Sequence, residues 1–218
     1  MTEHTIASAV ITSMKVHKRK PADFYPTPPD VTVALMRWLD LNPEAVVWEP
    51  ACGDGAMASV ISRFAGEVWS SDLREDGGYG RGGVDFLNCI LGDTFSTPPD
   101  WIITNPPFNV AEKFIEHALG ITPNVAMLLK ATYWNAKTRE GLFRKHPPTW
   151  ILPLTWRPAF LEEERGSSPL MDVMWVVWQE DSDGDTRFSP LLRPRFSITK
   201  DSPSGNDLAR NYLQLLGF

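Results

Sequence analysis

The stretch AVVWEPACGDGAM, residues 45–57, joins a short apolar run to an acidic residue and then to two glycines. The apolar run ends at Glu49 and predicts a buried strand, and the residues from about 55 onward predict a helix. Gly53 and Gly55 permit a tight turn between the two elements, because glycine adopts a positive φ without steric penalty. A strand, a glycine turn and a helix are typical of an α/β protein, in which ligands lie beyond the carboxyl ends of the strands.

The same alternation continues on both sides of this stretch. A helical period begins after the prolines near residue 29, and further helices are expected at 55–65, 109–120 and 133–145. Apolar runs predict strands at 45–49, 67–72, 100–104, 124–131, 149–155 and 172–179. Strands that are apolar on both faces and separated by helices predict a parallel sheet, and the loop-like link between the last two favours a closing antiparallel hairpin.

Length and composition limit the possibilities. With 218 residues and 43% hydrophobic content, we expect one domain spanning 1–218, with a basic extension at 1–22 and a tail at 180–218. No apolar run is long enough to span a bilayer and the start lacks the pattern of a signal peptide, so we expect a cytoplasmic protein with no membrane partner. Cys52 and Cys89 form no metal-ligand pattern, and we expect no metal and two reduced thiols.

Acidic residues follow consecutive strands. Glu49 ends the first strand, Asp72 ends the second, and Asp85 with Phe86 stands in the segment that comes next. An acid about 20 residues after the first strand commonly binds ribose hydroxyls, although an aspartate there can also cap a turn. Three carboxylates and an aromatic ring suit a ligand that carries a ribose, a base and a positive centre. S-adenosylmethionine (SAM) fits that description.

The stretch DWIITNPPFNVAEKF, residues 100–114, ends another apolar run on Asn105. The side-chain oxygen of Asn105 and the carbonyl oxygen of Pro106 could accept hydrogen bonds from an amino group. Pro106 and Pro107 have a restricted φ, so these acceptors would be held in position before a substrate arrives. Phe108 could stack on an aromatic ring. A proline-rich loop without function would also explain the segment if it stood alone.

Taken in order, these motifs resemble those of a known family. EPACGDG (49–55), the acid of SSD (70–72), VDF (84–86) and NPPF (105–108) resemble the motif series of class I SAM-dependent methyltransferases that modify exocyclic amino groups, above all DNA adenine amino-methyltransferases. DFYPTPP (23–29) is similar to the segment that packs over the methionine part of the cofactor in that family.

The resemblance implies a Rossmann-like α/β fold with a mostly parallel seven-stranded sheet and an antiparallel closing hairpin. It implies methylation of adenine N6 in DNA, by a small form without a distinct target-recognition domain. Catalysis is expected from Asn105, Pro106, Pro107 and Phe108. The residues expected to bind SAM are Tyr25, Pro26, Thr27, Glu49, Ala51, Gly53, Gly55, Asp72, Asp85, Phe86 and Asn105.

The charge distribution bears on a nucleic-acid partner. The net charge of −6 argues mildly against one, but the segment 130–157 carries six basic residues against one acid. A solvated helix face is the alternative explanation of this cluster. Trp134 and Trp156 follow strand ends, and the sequence leaves open whether they contact substrate or the core. The basic residues expected to contact DNA are Lys130, Lys137, Arg139, Arg144, Lys145 and Arg157.

Two alternatives to a DNA methyltransferase stay open at this point. Amino groups of RNA bases and the side-chain amide of glutamine are planar, conjugated nitrogens too, so Asn-Pro-Pro-Phe does not separate these substrates from adenine in DNA. The second alternative is a regulatory protein that binds SAM without turnover, although binding SAM alone would not need the acceptor of Asn105. The sequence leaves open whether the protein is a monomer or a homodimer.

Overall fold

The structure, a computed structural model, describes residues 26–75, 78–90, 92, 95–160, 169, 171–180 and 184–195. The helices in these ranges are α1 (Pro29–Leu39), α2 (Ala56–Ile61), α3 (Ala111–Ile121) and α4 (Glu140–Lys145). The strands are β1 (Val46–Glu49), β2 (Glu67–Ser70), β3 (Trp101–Thr104), β4 (Val125–Lys130), β5 (Trp150–Pro153), β6 (Val173–Trp178) and β7 (Arg187–Phe188).

The strands form one sheet in the order β2-β1-β3-β4-β6-β5-β7. Neighbours from β2 to β4 pair in parallel, and β7 is parallel to β5. Strand β6 lies between β4 and β5 and is antiparallel to both. The expected fold class, a mostly parallel seven-stranded sheet closed by an antiparallel hairpin, is thus confirmed. After β1 the chain forms β2 on one side of that strand and then returns to form β3 on its other side. Open α/β sheets bind ligands at such a switch point, beyond the carboxyl ends of the strands.

Alternate residues of each strand face opposite sides of the sheet, and both sides are buried. Val47 of β1 packs with the helices α1 and α2, whereas the adjacent Trp48 packs with α3. Trp48 and Trp175 are completely buried, and the indole N–H of Trp175 donates to the carbonyl of Val31 in α1 at 3.1 Å. These central strands are apolar throughout because helices cover both faces.

The expected element boundaries agree with the structure to within a few residues, with one exception. The prediction of a continuous helix over 133–145 was wrong. The chain there forms two 3-10 turns, Ala131–Trp134 and Lys137–Arg139, before α4 begins. The Arg139 guanidinium lies over the ring of Tyr133 and donates to its carbonyl oxygen. That oxygen would accept the N–H of Lys137 in a continuous helix, so the Arg139 side chain replaces a helical hydrogen bond.

The apolar runs located six strands and did not locate β7, the seventh strand that the family resemblance implies. It has two residues, both exposed, and two residues show no hydrophobic period. The basic extension at 1–22, Tyr25 and most of the tail at 180–218 lie outside the described residues. Among the described residues, the helices are too short and too polar for any of them to cross a bilayer.

Candidate active site

A cavity of about 310 Å³ lies at the carboxyl ends of β1, β2 and β3. This volume is within the usual range of small-molecule sites. Most residues that the sequence singled out for cofactor binding and catalysis meet here, although they come from five separate parts of the chain. Those lining the cavity are Pro26, Thr27, Glu49, Ala51, Gly53, Asp72, Asp85, Phe86, Asn105, Pro106, Pro107 and Phe108.

The turn after β1 joins two of the predicted motifs. Gly53 has φ 57°, and its N–H donates to the Asp72 carboxylate at 2.8 Å, which links the turn to the end of β2. Gly55 has φ 83° and is not part of the cavity wall; a Cβ atom there would lie 2.3 Å from the Tyr79 ring. Gly55 therefore accommodates a neighbouring side chain of the protein, while Gly53 faces the cavity.

Glu49 is the most deeply buried acid of the site. It is 2% exposed, and its Oε2 atom has no hydrogen-bond partner among the described residues. Burial is the main reason that its pKa rises to about 8; nearby Asp54 and Asp72 add to the rise, and a backbone hydrogen bond at Ala58 opposes it. A buried carboxylate oxygen without a partner is costly, and a cationic group in the cavity would satisfy it.

Asp72 has most of its acceptor positions occupied. Its Oδ2 accepts from Gly53, and its Oδ1 accepts from both the backbone N–H and the Nε of Arg74, at 2.9 and 3.1 Å. The side chain of Arg74 also lines the cavity. Sequence reasoning missed Arg74 and Leu73. Leu73 lines the cavity, and 66% of its surface is exposed. Their position directly after Asp72, the acid two residues beyond β2, was the available signal.

Asp85 and Phe86 form another part of the wall. The Asp85 carboxylate accepts from the backbone N–H of Leu87 at 3.1 Å and from the Asn88 amide at 2.7 Å. Phe86 is 2% exposed and packs edge-on against Trp48 with ring centres 5.1 Å apart. The local hydrogen bonds orient Asp85, and the packing of Phe86 makes this side of the cavity rigid.

The Asn105 side chain stands directly after β3 and crosses toward the segment before α1. Its Nδ2 donates to the hydroxyl oxygen of Thr27 at 3.1 Å. Phe108, three residues on, also contacts a neighbouring strand end, since the Lys130 ammonium lies 4.5 Å from the centre of its ring. The predicted catalytic segment is therefore held by contacts on both sides.

Cys52 lines the same cavity without being a reactive thiol. Its Sγ donates to the carbonyl of Tyr79 at 3.2 Å, and burial raises its pKa to about 12. Cys52 and Cys89 are both free cysteines. A thiol with such a pKa stays protonated near neutral pH, so Cys52 is a poor nucleophile.

The basic residues expected to contact DNA are mostly paired within the protein. Arg144 pairs with Glu140 at 2.7 Å, Lys145 lies 3.9 Å from Glu116, and Arg157 pairs with Asp172 at 2.6 Å. All three pairs are largely exposed, and exposed pairs are weak enough to exchange partners. Arg139 stacks on Tyr133, and Lys137 is exposed.

The two tryptophans left open by the sequence both pack against the core. The Trp134 indole N–H donates to the Sδ of Met174 at 3.3 Å, and its ring lies against Phe143. Trp156 packs against the core on the α1 side of the sheet. Neither ring lines the cavity.

Comparisons with known proteins come from solved structures, because the sequence matches no protein-family model and no curated protein. The methyltransferase subunit of a type I restriction-modification system from Streptococcus thermophilus has a TM-score of 0.60 and 12% identity, covering 87% of this chain and 52% of that chain. A protein from Listeria monocytogenes, described as a class I SAM-dependent methyltransferase, has a TM-score of 0.55 and 12% identity, with 86% and 72% covered.

A third similar structure is described as an RNA methyltransferase, from Pyrococcus horikoshii. It has a TM-score of 0.55 and 17% identity, covering 81% of this chain and 97% of that chain. This chain spans about half the length of the Streptococcus subunit. At such low identity the likeness concerns the fold, and this chain has the fold of class I SAM-dependent methyltransferases.

Proposed function

We propose that this protein is a SAM-dependent methyltransferase that methylates the exocyclic amino group of adenine in DNA. The observation that carries the proposal is the presence of Glu49 and Asn105 on the wall of one cavity. The first is a buried acid that needs a cation, and the second is an amide that can accept from an amino group. A site for binding SAM alone would need the acid but not the amide.

One observation indicates that the cavity suits SAM: the buried Oε2 atom of Glu49 has no hydrogen-bond partner among the described residues. The ammonium group of SAM would satisfy that atom. Asp72 would accept from ribose hydroxyls and Asp85 from the exocyclic amine of the cofactor's adenine, and Leu73 offers exposed apolar surface for its ring. When bound, SAM supplies an electrophilic methyl group on a sulfonium centre.

The protein's own part in the reaction is to prepare the substrate nitrogen. An amino group conjugated to a purine is a poor nucleophile because its lone pair is delocalised. Acceptors at the Asn105 Oδ1 and the Pro106 carbonyl would draw its hydrogens out of the ring plane and localise the lone pair on nitrogen. The prolines hold both acceptors rigidly, which is how preorganised polar groups lower a barrier. No covalent intermediate is needed, in keeping with the protonated thiol of Cys52.

Several observations support DNA as the substrate. Phe108 offers an aromatic surface for a purine, and an adenine in duplex DNA would have to be flipped out to reach it. Lys130 ends β4, and Lys137, Arg139 and Arg157 follow the carboxyl ends of β4 and β5, where they could contact phosphates. Arg144 and Lys145 end α4, and the carbonyl of the next residue, His146, accepts from Trp178 opposite the start of β4, so these two lie toward the other edge of the sheet. The Streptococcus neighbour belongs to a restriction-modification system, whereas the Pyrococcus neighbour keeps RNA as the alternative.

The test is to incubate the protein with isotope-labelled SAM and separate pools of DNA, RNA and protein, and to identify the product by mass spectrometry. We expect N6-methyladenine in DNA. The Asn105→Ala variant should form it at no more than about one hundredth of the wild-type rate. Label found only in RNA or in glutamine would move the protein to that substrate. SAM binding without any product would favour a regulatory role.

A further inference from the structure

The amide of Asn105 is held by a residue 78 positions earlier in the chain. Its Nδ2 donates to the Oγ1 of Thr27, and Thr27 is 5% exposed. Thr27 lies just before α1, Asn105 directly follows β3, and both line the cavity. The hydrogen bond therefore connects the segment before the first helix to the proposed catalytic residue.

The direction of this hydrogen bond decides what Asn105 presents to a substrate. An asparagine amide has two donor hydrogens on nitrogen and an acceptor oxygen on the opposite branch. With Nδ2 directed at Thr27, Oδ1 is directed to the other side. A rotated amide would present N–H groups to the hydrogens of a substrate amine, where the proposed reaction requires an acceptor.

The position of Thr27 is itself well supported. The Asp30 carboxylate, in the first turn of α1, is buried and accepts from the Nε of Arg193 at 2.9 Å. The neighbouring Val31 carbonyl accepts from the Trp175 indole. These contacts tie the start of α1 to β6 and to the segment after β7, so the hydroxyl of Thr27 projects from a fixed backbone.

We propose that Thr27 is a positioning residue that orients the amide of Asn105, so that Oδ1 accepts from the amino group of the substrate. This inference rests on the proposed function, because it assigns Thr27 a part in amino-group methylation in addition to any contact with the cofactor. Without the hydroxyl, Nδ2 would lose this acceptor and face a methyl group in its place, which removes one reason for the amide to keep the observed orientation.

Three variants separate this role from a structural one. Thr27→Val keeps the shape of the side chain and removes the hydroxyl, whereas Thr27→Ser keeps the hydroxyl. Thr32→Val is the matched control, since Thr32 is completely buried in α1, its Oγ1 has no partner among the described residues, and it does not line the cavity. We expect single-turnover methylation to slow about tenfold in Thr27→Val and by less than about threefold in the other two variants.

A double-mutant cycle tests whether Thr27 acts through Asn105. If it does, Thr27→Val should slow the wild type about tenfold but change the rate of Asn105→Ala by less than about twofold. Equal slowing in both backgrounds would overturn the inference, because Thr27 would then act independently of the amide.

A spectroscopic readout needs neither substrate nor turnover. In a ¹⁵N–¹H spectrum of the protein, the side-chain amide of Asn105 is the pair of signals lost in Asn105→Ala. We expect this pair to move in Thr27→Val and to stay in place in Thr27→Ser and Thr32→Val. An unmoved pair in Thr27→Val would overturn the positioning role whatever the activity. A moved pair in a protein that methylates no pool would support the orientation of Asn105 and overturn the proposed function alone.

Discussion

The ammonium group of Lys130 lies 4.5 Å from the centre of the Phe108 ring. Lys130 is the last residue of β4, and Phe108 ends the Asn-Pro-Pro-Phe segment that follows β3. Such a contact contributes about 0.5–1 kcal/mol when exposed and joins two adjacent strand ends. The cation occupies one face of the ring, so a flipped base in the proposed reaction would stack on the other. Lys130 would then carry a positive charge close to the substrate.

Replacing Lys130 with Met should weaken DNA binding. Each phosphate contact contributes nearly ~1 to the slope of log affinity against log salt, so we expect the slope to become flatter by that amount. Fluorescence anisotropy over a range of salt concentrations measures it. Phe108→Leu is the companion variant and should leave the slope unchanged while slowing methylation. An unchanged slope in Lys130→Met would remove this residue from the proposed DNA contacts.

Asn105→Ala should lower the methyl-transfer rate by roughly 100-fold or more and leave the affinity for SAM nearly intact. The reason is that the amide acts on the substrate amine in the transition state and contributes little to holding the cofactor. Single-turnover kinetics and calorimetry measure the two quantities. Loss of SAM affinity with normal residual turnover would contradict the role assigned to Asn105.

Asp72→Asn should weaken SAM binding by about 10- to 100-fold, because the ribose hydroxyls lose a charged acceptor. The matched control is Asp100→Asn. The Asp100 carboxylate also accepts a backbone N–H, from Val46 at 2.7 Å, but Asp100 does not line the cavity. Titration calorimetry should show normal SAM affinity in the control. Equal affinity in the two variants, with the fold intact, would exclude Asp72 from the cofactor site.

Burial raises the pKa of Glu49 from 4.5 to about 8. Between these two pH values the unliganded folded protein keeps a proton on Glu49 that the unfolded chain has lost. The contribution of Glu49 to the free energy of unfolding is therefore full below pH 4.5 and is lost as the pH rises through about 8. Urea unfolding at a series of pH values should show this decline. Glu49→Gln should lack it, and a decline of the same size in that variant would assign it to other groups.

Binding of a cation favours the ionised form of Glu49, so the same shift predicts a proton effect on SAM binding. Near neutral pH the protein should release up to about one proton when SAM binds, and the affinity should rise with pH until Glu49 is ionised. Calorimetry in buffers that differ in ionisation enthalpy measures the proton. Binding without proton release would argue against contact between Glu49 and the cofactor's ammonium group.

Two glycine variants should change stability in opposite directions. Gly80 has φ 71°, and a Cβ atom there would lie 2.4 Å from the Ser70 carbonyl oxygen, so Gly80→Ala should lower the free energy of unfolding by at least about 1–2 kcal/mol. Gly120 lies in α3, and a Cβ atom there would have no neighbour within 4 Å, so Gly120→Ala should raise it by about 0.5–1 kcal/mol. Denaturant unfolding measures the free energy of unfolding of both variants. An undiminished value in Gly80→Ala would contradict the close approach of residue 80 to the Ser70 carbonyl oxygen.

The sequence by itself determined most of the elements and the general place of the site. Apolar runs marked the six longer strands because a strand buried on both faces must be apolar along its length. The carboxyl ends of parallel strands meet at one edge of the sheet, so Glu49, Asp72 and Asn105 could be expected together from their places in the chain. These inferences need only local patterns and a general rule of topology.

The tertiary structure decided which side chains contact one another. The hydrogen bond between Asn105 and Thr27, the position of Arg74 on Asp72 and the contact of Lys130 with Phe108 depend on rotamers and on how neighbouring segments pack. No periodicity encodes such contacts. The same holds for Arg139, whose side chain interrupts an expected helix, and for the two-residue strand β7, which is too short to carry a pattern.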